Sequence, residues 1–262
     1  MTRYIRRNLS LVGAILLQAW LVTPALAIPN NQAQLLERQD FSSLAQEILP
    51  EAERGNLDAL YKLGVMYAHG IGVTKDINQG LRLLKEAASY GSTDAQLMLG
   101  LLYQMGADVT ADNAVAFDWF HQAAVHGNND AQLFVGLMYA KGQGVDPDFT
   151  QAVSWFREAA THGNGMAEFS LGVMYTMGHG VPQDFKTALS WYFKAAKQGN
   201  ARAQYNIGVM YDLGAGVDKS DEDAVHWLRE AAAQGFPLAH IYLQQKQTEE
   251  QVLAPSHAFA SF

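Results

Sequence analysis

The five-residue stretch Leu171-Gly172-Val173-Met174-Tyr175 has close copies at Leu63–Tyr67, Leu99–Tyr103, Val135–Tyr139 and Ile207–Tyr211, each 36 residues from the next with no insertion or deletion. A fixed period of that length points to a repeat array, in which one supersecondary unit is written several times and each unit buries its apolar face on its neighbours. The expected fold is all-α.

Each unit has the same internal grammar, and the fourth displays it. Gly163-Asn164 opens the unit, and Ala167, Leu171, Met174 and Tyr175 follow at helical spacing on one stripe, defining helix A. Gly178-His179-Gly180-Val181 ends that helix, because glycine takes the left-handed conformation of a C-terminal cap without steric cost. Asp184 is then placed to cap helix B, as are Asp76, Asp112 and Asp148 in the other units. Helix B carries an alanine pair in every unit, from Ala87-Ala88 to Ala231-Ala232, and an aromatic slot holding Trp119, Trp155, Trp191 and Trp227, with Leu83 in the first unit. The glycines in the middle of helix A (Gly64, Gly100, Gly136, Gly172 and Gly208) each cost about 1 kcal/mol relative to alanine. A cost repeated in every unit implies that another helix crosses there with no room for a side chain.

The ends of the array are also legible. Phe41 to Asn56 aligns with Phe185 to Asn200, so the array begins with half a unit, and Pro50 inside it predicts a break or kink near Leu49. In the second unit Asp108 replaces the second turn glycine found at Gly72, Gly144, Gly180 and Gly216; aspartate tolerates the left-handed region, so the turn should survive. Phe236 to Leu243 begins a further helix A, but Gln244 stands at the mid-helix glycine position, which marks a polar cap. The array is expected over residues 40–250, preceded by a flexible lead-in at 28–39 and followed by a disordered tail at 251–262.

Residues 1–27 differ in kind. Arg3, Arg6 and Arg7 precede an apolar run from Leu9 to Val22 and then Ala25-Leu26-Ala27, the pattern of a secretory signal peptide cleaved after Ala27. An uncleaved anchor is the alternative, but Gln18 interrupts a run shorter than the ~20 apolar residues of a span. Export to the periplasm or beyond is the expectation. With no cysteine there is no disulfide, so packing alone must hold the fold. Loss of the three arginines leaves 15 basic residues against 26 acidic ones, a net charge of −11, which argues against nucleic acid and against an anionic membrane surface as partner.

The string A-x-x-x-L-G-x-M-Y-x-x-G-x-G-V, then aspartate, then A-x-x-W-x-x-x-A-A-x-x-G, resembles the Sel-one-like repeat (SLR) family, a branch of the tetratricopeptide-like solenoids; the match covers about Phe41 to Leu243. The resemblance implies a right-handed α/α solenoid of antiparallel helix pairs in 36-residue repeats, with helix A lining a concave groove, and a role as a non-catalytic adaptor that assembles other proteins. For exported bacterial members it implies host interaction, envelope stress or signalling. Cysteine-rich members that bind β-lactams carry a disulfide in each repeat, and this chain has none.

No catalytic, cofactor or metal site is expected. His126 and His162 share one repeat position in the last turn of helix B, where a histidine favours the helix dipole, and no H-E-x-x-H, G-x-x-x-x-G-K-[ST] or G-x-S-x-G string occurs. Positions that vary between units are free to meet a ligand, here a protein or peptide. One helix-A slot holds Lys62, Met98, Phe134, Ser170 and Asn206; the slot seven residues later holds His69, Met105, Lys141, Met177 and Leu213. Residues i and i+7 share a helical face, so both slots are expected on one surface stripe lining the groove, joined by Asp94, Asp130, Met166 and Arg202. Met98, Met105, Phe134 and Met177 would give it an adaptable apolar floor; the competing reading is that they fill gaps between units. The functions weighed are an exported protein-binding scaffold, a cell-wall or β-lactam-acting hydrolase, and a structural spacer.

Overall fold

The computed structural model describes residues 40–253, apart from residue 107. The signal segment, the lead-in and residues 254–262 of the tail lie outside the described residues. Among the described residues there are twelve helices and no strand: α1 (Phe41–Glu53), α2 (Leu57–His69), α3 (Ile77–Ser89), α4 (Thr93–Met105), α5 (Asn113–Val125), α6 (Asn129–Lys141), α7 (Phe149–Thr161), α8 (Gly165–Met177), α9 (Phe185–Lys197), α10 (Ala201–Leu213), α11 (Asp221–Ala233) and α12 (Pro237–Leu253). The even-numbered helices are the A helices and the odd-numbered ones the B helices of an α/α solenoid of antiparallel pairs. Two compact units divide the chain at a repeat border, between Tyr90 and Gly91, and each has its own core.

From α1 to α11 each helix starts on a side-chain cap that its sequence supplies. Each of α2, α4, α6, α8 and α10 ends on a glycine in the left-handed region, Gly70, Gly106, Gly142, Gly178 and Gly214. The carboxylates of Asp76, Asp112, Asp148 and Asp184 accept backbone N–H groups in the first turns of α3, α5, α7 and α9. Ser220 does the same for α11 in place of an aspartate. The A helices are capped just as regularly, by the side chains of Asn56, Ser92, Asn128, Asn164 and Asn200.

The mid-helix glycines lie where helix B crosses. A Cβ at Gly100 would meet the Phe120 ring at 2.6 Å, one at Gly136 the Phe156 ring at 2.6 Å, and one at Gly208 the Leu228 side chain at 2.8 Å. Gly172 meets Tyr192 in the same way. The residue after each tryptophan is therefore the anchor of its repeat, and Phe120, Phe156, Tyr192 and Leu228 are all buried. The tryptophans reach backwards instead: Trp155 packs on the core around Val135, Trp191 on that around Leu171 and Trp227 on that around Ile207.

Two expectations at the ends are corrected, the break at Pro50 and the start of the tail. α1 runs unbroken through Pro50. The bond lost at proline would have used the Gln46 carbonyl, and Gln46, Leu49 and Pro50 are all exposed, so water can satisfy that oxygen, one turn from the end of the helix. At the other end, α12 continues to Leu253, so its last three residues occupy part of the stretch expected as a tail. Gln251, Val252 and Leu253 are compatible with helix, and no breaker occurs before Pro255.

Candidate binding edge

Successive repeats of the second unit are joined by polar contacts as well as by the core. Asn128 Nδ2 donates to Asp94 Oδ1 at 3.3 Å, and Asn164 Nδ2 to Asp130 Oδ1 at 3.3 Å, so each helix-A cap also ties its helix to the preceding A helix. The next contact in the series is weaker, because Asn200 Nδ2 faces the Met166 sulfur at 3.4 Å. A buried row of Gln96, Gln132, Glu168 and Gln204 runs beside these contacts. Glu168 Oε2 accepts from Gln198 Nε2 at 2.9 Å, and Gln204 Oε1 from Gln234 Nε2 at 2.6 Å. Burial raises the Glu168 pKa, against the opposing pull of Lys194 and the Gln198 hydrogen bond.

The first of the two variable slots is buried or half-buried throughout. Met98 is 6% exposed and Ser170 8%. Phe134, half-buried, stacks on Phe120 at 4.8 Å between centroids and 11° between planes. Phe120 is thus held between Gly100 of its own repeat and Phe134 of the next. Asn206 plays the corresponding part for Tyr192, hydrogen bonding to it beside Thr176, whose Oγ1 lies 3.1 Å from the Tyr192 hydroxyl. Ser170 donates to the Met166 carbonyl at 2.8 Å. In the first unit Lys62 is half-buried and pairs with Asp58 at 2.5 Å.

The shared stripe is therefore corrected. Met98 and Ser170 are buried, and Phe134 packs on the preceding repeat, as the competing reading had it for Met98 and Phe134. The reason is position along the helix and not around it. The first slot lies mid-helix, whereas the second is the last residue of each A helix, and in the second unit its side chain is exposed. Met105 is 48% exposed, Met177 60% and Leu213 68%, and Lys141 is exposed with them. His69, in the first unit, is half-buried.

In the second unit the turns that follow these residues form one continuous edge. The left-handed turn glycines nest on the start of the preceding B helix: Gly144 against Asn113, Gly180 against Phe149 and Gly216 against Phe185. His179 stacks on Phe149 at 4.4 Å. Asp184, hydrogen bonded to Thr187, has its pKa held below the ordinary carboxylate value. Beyond the last turn, Asp212 accepts from Tyr242 at 2.6 Å and pairs with Lys246, which also reaches Asp221 at 2.8 Å and so fastens α12 to the array. Burial and the Asp212 carboxylate push the Tyr242 hydroxyl up to about 12. Among the described residues, no three His, Asp or Glu side chains are grouped to hold a metal ion, and no helix is long and apolar enough to cross a membrane.

The comparisons agree with this architecture. The Sel1 repeat model matches five consecutive segments, 57–92, 93–128, 129–164, 165–200 and 201–236. Among solved structures, a protective antigen present in uropathogenic Escherichia coli strains and displaying an SLR fold is 38% identical, with a TM-score of 0.74 over 76% of this chain. This chain spans only 43% of that protein. A Sel1 repeat protein from Oxalobacter formigenes is 26% identical with a TM-score of 0.73, covering 80% of this chain and 83% of its own. No curated protein matches. With five contiguous repeats matched and their helix pairs, caps and crossing glycines in place, the chain belongs to the Sel1-repeat family.

Proposed function

We propose that the protein is an exported scaffold whose turn-end residues in the second unit (Met105, Lys141, Met177 and Leu213) contact a protein or peptide partner. Sel1-repeat proteins are generally protein–protein interaction scaffolds and typically non-catalytic. The observation that carries the reading is the split between the two variable slots: one is spent on packing between repeats, and the other varies while exposing large apolar side chains. Variation without a packing duty is what a recognition surface needs.

Export rests on the character of residues 1–27 and fits the similarity to a protective antigen of uropathogenic E. coli. N-terminal sequencing of protein from the envelope fraction should find Ile28 first; Met1 there would contradict cleavage. For the binding reading, a photo-crosslinking residue is placed singly at positions 177, 213 and 125 and irradiated in envelope extract. Adducts at 177 and 213 without adducts at 125 are expected. Equal labelling at all three, or none, would sink it.

A further inference from the structure

The charge on the two edges of the second unit differs. Along the edge where A helices turn into B helices (residues 105–115, 141–151, 177–187 and 213–223) nine acids face three lysines, Lys141, Lys186 and Lys219. On the opposite edge (residues 91–95, 123–131, 159–167, 195–203 and 231–239) Asp94 and Asp130 are balanced by Lys197 and Arg202. Exposed apolar side chains occur on both, with Val125, Met166 and Leu238 on the balanced edge. On the acidic edge, however, Met105, Phe149, Met177, Phe185 and Leu213 alternate with the acids, and from Asn113 onward the surface is contiguous because the turns at Gly144, Gly180 and Gly216 nest on the starts of the preceding B helices.

Part of this charge is already answered. Asp112, Asp148 and Asp184 cap helices whose N-terminal dipoles offset them, and Asp221 pairs with Lys246. Asp146 and Asp218 are exposed outside any helix, and Glu222 and Asp223 are exposed in the first turn of α11, whose dipole offsets part of their charge. Asp221 and Glu222 also wall a shallow depression with Val225, His226 and Arg229. An edge that is both acidic and studded with large apolar groups repels an anionic membrane and rejects an acidic protein; it complements a ligand carrying cations and apolar side chains together.

We infer that the acidic turn edge of the second unit binds a basic amphipathic segment of another protein, its apolar side chains seated on Met177, Leu213 and Phe185 and its cations facing Asp218, Glu222 and Asp223. This rests on the scaffold reading and names the chemistry of its partner. Phe149 and Phe185, which also brace the turns, give the apolar row a rigid base, while the methionines adapt to the bound side chain.

The probes are two synthetic 18-residue amphipathic peptides, one of lysine and leucine and the other with glutamate at every lysine, titrated by fluorescence anisotropy into the full chain. Binding of the lysine peptide should be saturable, weaken as salt rises, and fall at least tenfold in Met177→Ser/Leu213→Ser and in Asp218→Asn/Glu222→Gln. Val125→Ser, on the balanced edge, should bind as the unmutated chain does. Circular dichroism melts of all four proteins should coincide, which separates a lost site from a lost fold. Equal binding of both peptides, no binding of the lysine peptide, or undiminished binding by the edge variants would overturn the inference. A chain that crosslinks at 177 and 213 in envelope extract yet fails this test keeps the scaffold reading and loses only the charge of its partner.

Discussion

Position 134 and position 141 lie seven residues apart on one helix and look equally free to vary in the sequence, yet one helps build the array and the other faces water. Phe134 stacks on Phe120 of the preceding repeat, whereas Lys141 ends α6 in solvent. The same contrast recurs between Met98 and Met105, and between Ser170 and Met177. Variation between repeats thus has two physical sources. At the inner slot, repeats solve the same packing problem in different ways: a phenyl ring against a phenyl ring, or an asparagine against the tyrosine hydroxyl of Tyr192. At the outer slot of the second unit the side chains are exposed and free of that constraint.

The sharpest way to break that contrast is Phe134→Asp. It removes the stacked ring and places a carboxylate against Phe120, and a loss of more than about 4 kcal/mol is expected, read as a collapsed chemical-denaturation midpoint for the second unit. A melt like that of the unmutated chain would show the inner slot to be surface after all.

Gly136→Ala tests the crossing that the inner slot supports. The added methyl would lie 2.6 Å from the Phe156 ring, which must shift, so a destabilisation of about 1–3 kcal/mol is expected in the same titration. Stabilisation, the outcome expected for alanine in an open helix, would mean that the helices do not meet there.

Glu168→Gln probes the buried polar row. Burial raises the pKa of Glu168, so the folded state holds its proton more tightly than the unfolded chain. The resulting penalty is fully present above the raised folded pKa and is relieved as pH falls through it towards the unfolded value. Glutamine, the residue at positions 96, 132 and 204, carries no such penalty. The variant should melt higher than the parent at pH 7, by on the order of 1–3 °C, with the gap closing as pH is lowered. A gap that widens on acidification would contradict the burial cause. The smallest effect is expected at the outer slot, where Met177→Ser should leave stability within about 0.5 kcal/mol.

Much of the fold was legible because its signals are local and repeated. The period located the helices, the glycines predicted the crossings, and the aspartates at 76, 112, 148 and 184 predicted the caps now seen. What was not legible depends on where an element ends relative to its neighbours. Periodicity reports the angle of a residue around its helix, so it put Phe134 and Lys141 on one face; it says nothing of which positions along the axis end up buried. The anchor role of Phe120, Phe156, Tyr192 and Leu228 was hidden behind the more conspicuous tryptophans one residue earlier. Their steady apolar character, one residue after each tryptophan, was the available signal. The asparagine ladder through Asp94 and Asp130 joins residues 34 positions apart, and only the folded stack brings them together.

The central claim, that the inner slot builds and the outer slot recognises, is tested most directly by crosslinking yield at position 213 in envelope extract, measured for the parent and for Met177→Ser at a temperature well below both melts. The account predicts that adduct yield drops sharply while the melting transition stays where it was. An unchanged yield, or a yield that falls only because the protein has unfolded, would contradict it.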